Sequence, residues 1–104
     1  MRYSIRNHPL IERDIFDIVD LISNYAGLAV GLSKVDQITD FISRLEEFPH
    51  IGTVREGPHA GIRAVSATEK AVVCFAVDEE TKTVYILCIS YAGSDWMSEV
   101  LKRR

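Results

Sequence analysis

Ala71-Val72-Val73-Cys74-Phe75-Ala76-Val77 and Val84-Tyr85-Ile86-Leu87-Cys88-Ile89-Ser90-Tyr91, joined by the polar link Asp78-Glu79-Glu80-Thr81-Lys82-Thr83, decide the fold. Both runs are rich in β-branched and aromatic residues, and the short charged connection between them specifies a β-hairpin. Neither run alternates. Strict two-residue periodicity turns Val73, Phe75, Val77, Leu87 and Ile89 to one side and Val72, Cys74, Ala76, Ile86 and Cys88 to the other, and both sets are apolar. A hairpin with one solvated face alternates apolar with polar, so this sheet is expected to need a cover on both faces.

Working outward, Ile62-Arg63-Ala64-Val65-Ser66 reads as the strand before the hairpin, and the breaker-rich Pro49-His50-Ile51-Gly52 and Gly57-Pro58-His59-Ala60-Gly61 as loop. Upstream, Leu10, Ile11, Ile15, Ile18, Leu21, Ile22 and Tyr25 recur at three- and four-residue spacing, with Glu12, Arg13, Asp14, Asp17 and Asp20 between them. That pattern predicts an amphipathic helix with an acidic outer face, entered through Asn7-His8-Pro9 and stopped at Ala26-Gly27. A second helix follows, beginning at Leu28 or at Ser33, with Leu32, Val35, Ile38, Phe41, Ile42 and Leu45 as its stripe and Phe48 as its end, since Pro49 cannot continue it. Tyr3-Ser4-Ile5-Arg6 alternates as a short first strand. After Tyr91, Asp95–Leu101 forms a short helix capped by Ser94 or Asp95, with Lys102, Arg103 and Arg104 suited to a helix C-terminus. The order β-α-α-β-β-β plus a small helical tail is an α+β domain: an antiparallel-rich twisted sheet with a helical hairpin on one face.

At 104 residues the chain is expected to be one domain, residues 1–104, with one core. Its 47% apolar and 26% charged residues are those of globular proteins, and no apolar run approaches the roughly 20 residues of a membrane span. Met1-Arg2-Tyr3-Ser4 has no secretory character, so the expected compartment is the cytoplasm. The net charge of −3 argues against a broad grip on nucleic-acid backbones. Cys74 and Cys88 read as reduced, buried small hydrophobes, the usual state of a cytosolic pair.

Catalytic patterns are missing from the sequence: no GxSxG, HExxH, phosphate-binding loop or Cys-x-x-Cys occurs, and no cofactor is implied. His8, His50 and His59 lie beside prolines or in turns at spacings that match no metal site. Asp78-Glu79-Glu80 reads as a solvated turn. Arg63 is a cation on a strand of Ile, Ala and Val, where arginine ordinarily pairs or snorkels. Trp96 either packs back on the core or awaits a partner, tryptophan being enriched in binding hot spots.

Leu45-Glu46-Glu47-Phe48-Pro49-His50-Ile51-Gly52, with its Leu-x-x-x-Pro-x-x-Gly spacing, followed by Gly61-Ile62-Arg63, an apolar strand, an acidic turn and a strand ending near Tyr91, resembles the RelE/ParE superfamily of bacterial type II toxin–antitoxin toxins. The resemblance covers nearly the whole chain. In that superfamily RelE-like members cleave messenger RNA on the ribosome with a cluster of Lys and Arg, whereas ParE-like members lack the cluster and poison DNA gyrase. Only Arg63 matches the basic cluster here, and Ala92-Gly93-Ser94 stands where further basic residues are expected. Metal-free RNA cleavage needs cations for the developing phosphorane charge and a group to move protons, so the resemblance implies the ParE-like branch and a protein that is not an enzyme. Ser90-Tyr91 and Cys74-Phe75 depart from that branch. The resemblance also implies a ParD-like antitoxin that covers the second sheet face through Val72, Cys74, Ala76, Ile86 and Cys88, by helix docking and strand addition. Arg63, Tyr91, Asp95 and Trp96 become candidates for contact with gyrase. The alternatives are a ribosome-dependent ribonuclease with Arg63 as its main cation, and an inactive toxin-derived binding module.

Overall fold

The computed structural model describes residues 2–103; Met1, and Arg104 with its expected role as terminal positive charge, lie outside them. Helices α1 (Ile11–Ala26) and α2 (Leu28–Arg44) turn on Gly27 alone, whose φ of 93° is open to glycine at no steric cost. The earlier of the two expected starts for α2 is the observed one. Gly31, which weakens the first turn of a helix, sits where the two helices touch: a Cβ there would lie 3.1 Å from the Val19 carbonyl oxygen and from Ser23 Oγ. Close approach outweighs propensity. At the other end α2 stops at Arg44, short of the expected Phe48, as the Leu45 and Glu46 amides shorten their bonds to the carbonyls of Ile42 and Ser43.

Strands β1 (Ser4–Asn7), β2 (Arg63–Ser66), β3 (Ala71–Asp78) and β4 (Thr83–Tyr91) form a mixed sheet in the order β1-β4-β3-β2, with β1 parallel to β4 and the other pairs antiparallel. A short 3-10 turn occupies Gly57–His59, and helix α3 (Trp96–Arg103) is the last element of the described residues. The α+β architecture read from the sequence is the observed one. No helix among the described residues is long and apolar enough to cross a membrane.

The sheet is covered on both faces by the chain itself. The larger cluster joins Ile11, Ile18, Ile22, Ile38 and Leu45 of the helical layer to Val73, Phe75, Val84, Ile86 and Ile89. The smaller, on the far face, joins Cys74 and Cys88 to Ile62 and Val100, with Val72, Ala76, Leu87 and Trp96 packed around them. At about 1.5–3 kcal/mol for each fully buried aliphatic side chain, the helical layer supplies most of the stabilisation.

Two residues lie on the opposite face from the one that alternation assigns. Val73 pairs with Ile89 and Cys74 with Cys88, but Phe75 pairs with Ile86, leaving Leu87 as a surplus residue in a β-bulge. The extra residue shifts the phase of β4. Ile86 therefore packs under the helices and Leu87 joins the far face beside Cys88.

Candidate functional site: the tail-covered face of the sheet

The far face is roofed by α3, and the roof is fastened at both ends. At its start Asp95 caps the helix: the Ser98 amide donates to Asp95 Oδ1 at 3.2 Å, and the Ser98 hydroxyl and then this amide hold the carboxyl below its ordinary pKa. Trp96 packs inward, with the Arg55 guanidinium 5.0 Å from its ring centroid and the His59 ring edge-on at 5.8 Å. His59 Nε2 also lies 2.9 Å from the Met97 carbonyl oxygen, tying the 3-10 turn to α3.

At its far end Arg103 folds back onto α1 and β4. Nη1 and Nη2 meet the two carboxylate oxygens of Asp14 at 2.7 and 2.8 Å, Nε donates to Glu99 at 3.0 Å, and Nη1 donates to the Leu87 carbonyl at 3.0 Å. Asp14 Oδ2 in turn accepts from the Ile89 amide at 3.0 Å. The side chains of Arg103 and Asp14 keep only 7% and 10% of their exposure. The Asp14 hydrogen bonds push the Arg103 pKa up, so the guanidinium stays charged. β1 accompanies β4 only as far as Ile86. Beyond it, the Asp14–Arg103 pair supplies the acceptor and the donor that a neighbouring strand would otherwise offer to Leu87 and Ile89.

Between α1 and α3 lies an open cleft of about 700 Å³, with Arg13, Asp17, Cys88, Ser98 and Lys102 among its lining residues. A second cluster of titratable groups sits at the opposite end of the sheet. There the Tyr3 hydroxyl donates to Glu79 Oε2 at 2.6 Å, His50 Nε2 contacts Glu79 Oε1, and Lys82 lies 3.6 Å from Glu79 and over the Tyr3 ring. These contacts pull the Glu79 pKa down to about 2 and raise that of Tyr3.

The residues expected to meet a partner are dispersed. Arg63 pairs across the sheet with Phe75 and so shares the helix-side face; its Nη1 donates to the carbonyls of His50, Ile51 and Gly52 at 3.1–3.2 Å. That explains the two most specific pieces of the motif. Gly52, at φ 76° and with room for no Cβ beside Val65 Cγ2, brings the loop within reach of the arginine that follows Gly61. Tyr91 is buried with the helices, its hydroxyl 3.3 Å from that of Tyr25. Asp95 caps α3 and Trp96 opens it, and both serve its docking.

Of the expected antitoxin-facing set, Ile86 is turned to the helices by the bulge, and Cys74 and Cys88, 0% and 3% exposed, lie beneath the tail. Only Val72 and Ala76 are partly open. Most of the large apolar side chains left in solvent are instead on the helical hairpin and its exit, with Phe16 68%, Leu28 60%, Leu32 50% and Phe48 62% exposed, while Tyr85 on β4 and Met97 and Leu101 on α3 are exposed to a lesser degree. Asp14 and Arg103 carried no individual expectation. The usable signals were the flank position of Asp14 beside the stripe of Ile11, Ile15 and Ile18, and the i,i+4 spacing of Glu99 to Arg103.

No protein-family model matches the chain, and no curated protein matches it in sequence. Solved structures do. A chain of the RelBE2 toxin–antitoxin complex from Mycobacterium tuberculosis superposes with a TM-score of 0.65 at 20% identity, over 88% of this chain and 99% of that one. A chain of the chromosomal ParDE system from P. aeruginosa gives 0.74 at 21% identity, over 88% and 97%. A mutant of the E. coli toxin RelE in the free state gives 0.67 at 14% identity, over 99% and 98%. With near-complete coverage in both directions and a shared order of helices and strands, this chain has the RelE/ParE toxin fold.

Proposed function

We propose that this chain is the toxin of a type II toxin–antitoxin pair, ParE-like in action, which binds DNA gyrase in the cytoplasm and is neutralised by direct contact with a ParD-like antitoxin. The likeness to structures of toxin–antitoxin systems supports the class. One observation favours the gyrase branch: Arg63, the arginine of the motif, commits its Nη1 to three loop carbonyls, an anchorage that holds the side chain against the loop on the helix side of the sheet. A phosphorane-stabilising cation has to face substrate. Exposed Phe16, Leu28 and Leu32 supply apolar area for a partner. A strand added to β4 beyond Ile86 would take over the backbone groups now held by Asp14 and Arg103. The test is purified chain against gyrase supercoiling and, in parallel, against messenger RNA on translating ribosomes. Inhibited supercoiling with intact RNA is the expected result; codon-specific cuts with normal supercoiling refute it.

A RelE-like ribonuclease is the second reading, favoured by the Tyr3–Glu79–His50–Lys82 cluster, which combines a base, its orienting carboxylate and a cation on an exposed surface. Under that reading His50→Ala abolishes RNA cleavage in a chain that still folds.

A further inference from the structure

Cys74 and Cys88 face each other directly across β3 and β4 in the row beside the bulge. Directly opposed residues on antiparallel strands have Cα atoms about 4.5–5.5 Å apart, inside the roughly 4.4–6.8 Å span that a disulfide bridges. Both thiols are reduced in this structure. Their surroundings differ. Cys74 is sealed in, whereas Cys88, though 3% exposed, forms part of the lining of the cleft between α1 and α3. The opposed thiols act on one another, raising the Cys74 pKa, to which burial adds, and lowering that of Cys88. Arg103, fixed by Asp14 and Glu99, also favours the Cys88 thiolate, while those two carboxylates and burial oppose it. A nucleophile at the floor of a cleft, with a second thiol in bonding register behind it, is the arrangement of an attacking and a resolving cysteine.

We propose that Cys88 and Cys74 form a peroxide-reactive dithiol that closes to a disulfide between β3 and β4. Cys88 thiolate attacks one oxygen of hydrogen peroxide, breaking the O–O bond to give Cys88 sulfenic acid and hydroxide, which leaves as water with a proton. Cys74 then attacks the sulfenic sulfur, the S–S bond forms as the S–O bond breaks, and the Cys74 proton departs in a second water. Two thiols lose two electrons and one peroxide gains them. The inference is independent of the toxin reading, because it concerns chemistry within the sheet.

The full-length reduced chain is exposed to hydrogen peroxide, quenched, unfolded in N-ethylmaleimide and mapped by mass. The expected product is a monomer lighter by about 2 Da, from loss of two hydrogens, with the peptides of Cys74 and Cys88 joined. Cys74→Ser is expected to stop at a Cys88 sulfenic acid that dimedone traps, and Cys88→Ala to leave Cys74 fully alkylatable after the same exposure. As a probe of proximity, phenylarsine oxide should be retained at one arsenic per wild-type chain and lost from either variant. Two free thiols after peroxide, oxidation of Cys74 in Cys88→Ala, or a linkage between chains overturns the proposal. The wild-type measurement needs no variant, so misfolding of a substituted chain leaves the decision intact.

Discussion

Replacing Arg103 by alanine tests whether a single side-chain clasp holds the tail on the sheet. The change strips Asp14 of its bidentate partner and leaves it the Ile89 amide alone, and it strands the Leu87 carbonyl. Breaking a buried ion pair by removing one partner costs about 3–5 kcal/mol when the site stays closed. This site has an alternative, because α3 has eight residues and is marginal as an isolated helix. Its docking rests on fully buried Val100 and partly buried Trp96, about 2–4 kcal/mol of apolar burial. The variant is therefore expected to release the tail in preference to unfolding the sheet, so the loss is capped at about 3 kcal/mol. Trp96 is the sole tryptophan and sits in the released segment. In urea, the wild-type fluorescence and far-ultraviolet circular dichroism transitions should coincide; in Arg103→Ala the fluorescence change should come first. Asp14→Ala/Arg103→Ala should be less destabilised than the sum of the single changes by about 2 kcal/mol. Coincident transitions in the variant with a loss below roughly 0.5 kcal/mol, the range of an ordinary surface change, would refute the reasoning. The Arg103 pKa is raised above the ordinary arginine value, chiefly by the Asp14 hydrogen bonds, so the guanidinium's contribution is fully present at working pH and is lost only as pH climbs through that raised value.

Gly52→Ala puts a Cβ 2.6 Å from Val65 Cγ2 at φ 76°, and should lower stability by about 1–3 kcal/mol in chemical denaturation, with faster amide exchange in residues 50–53. Arg63→Met removes the donor shared by three carbonyls while keeping the apolar stem. It should cost about 1–3 kcal/mol for the unsatisfied groups and yet leave gyrase inhibition intact in protein that remains folded; lost inhibition at unchanged stability would make Arg63 a contact residue. Glu79 titrates at about 2 in the folded chain against 4.5 ordinarily, chiefly through the Tyr3 hydroxyl and then His50. Its contribution is present above pH 4.5 and fades as pH falls through about 2. The melting temperatures of wild type and Glu79→Gln should accordingly differ at pH 6 and converge near pH 2, and a constant gap across that window would contradict the assignment.

The elements were legible because their signals are local. The three- and four-residue spacing from Ile11 to Ile22, glycine at position 27 and the apolar runs flanking Asp78–Thr83 all act within one or two turns of chain. What was hidden depends on pairing over distance. Alternation cannot reveal that β4 carries one residue more than β3 can match, so it puts Ile86 and Leu87 on the wrong faces. In sequence Asp14 is one more acid on an exposed helix face and Arg103 one more terminal cation, because their meeting spans 89 positions. Arg63 stood out correctly as an anomaly, but its partners are backbone carbonyls, which leave no trace in composition. The apolar far face asked for a cover, and the chain's own tail supplies one where an external partner was expected.

The surplus residue in β4 has a consequence for chain length. β3 has eight residues and β4 nine. Without Leu87 the two strands would pair in unbroken register, with every remaining side chain on the face it now occupies. The bulge is therefore dispensable to the ladder. Its use is directional: it aims one carbonyl out of the sheet toward Arg103. A variant shortened by this residue would keep a sheet of better regularity and lose the anchorage of its C-terminus, so a single-residue deletion separates how well the domain is built from how firmly its last helix is moored.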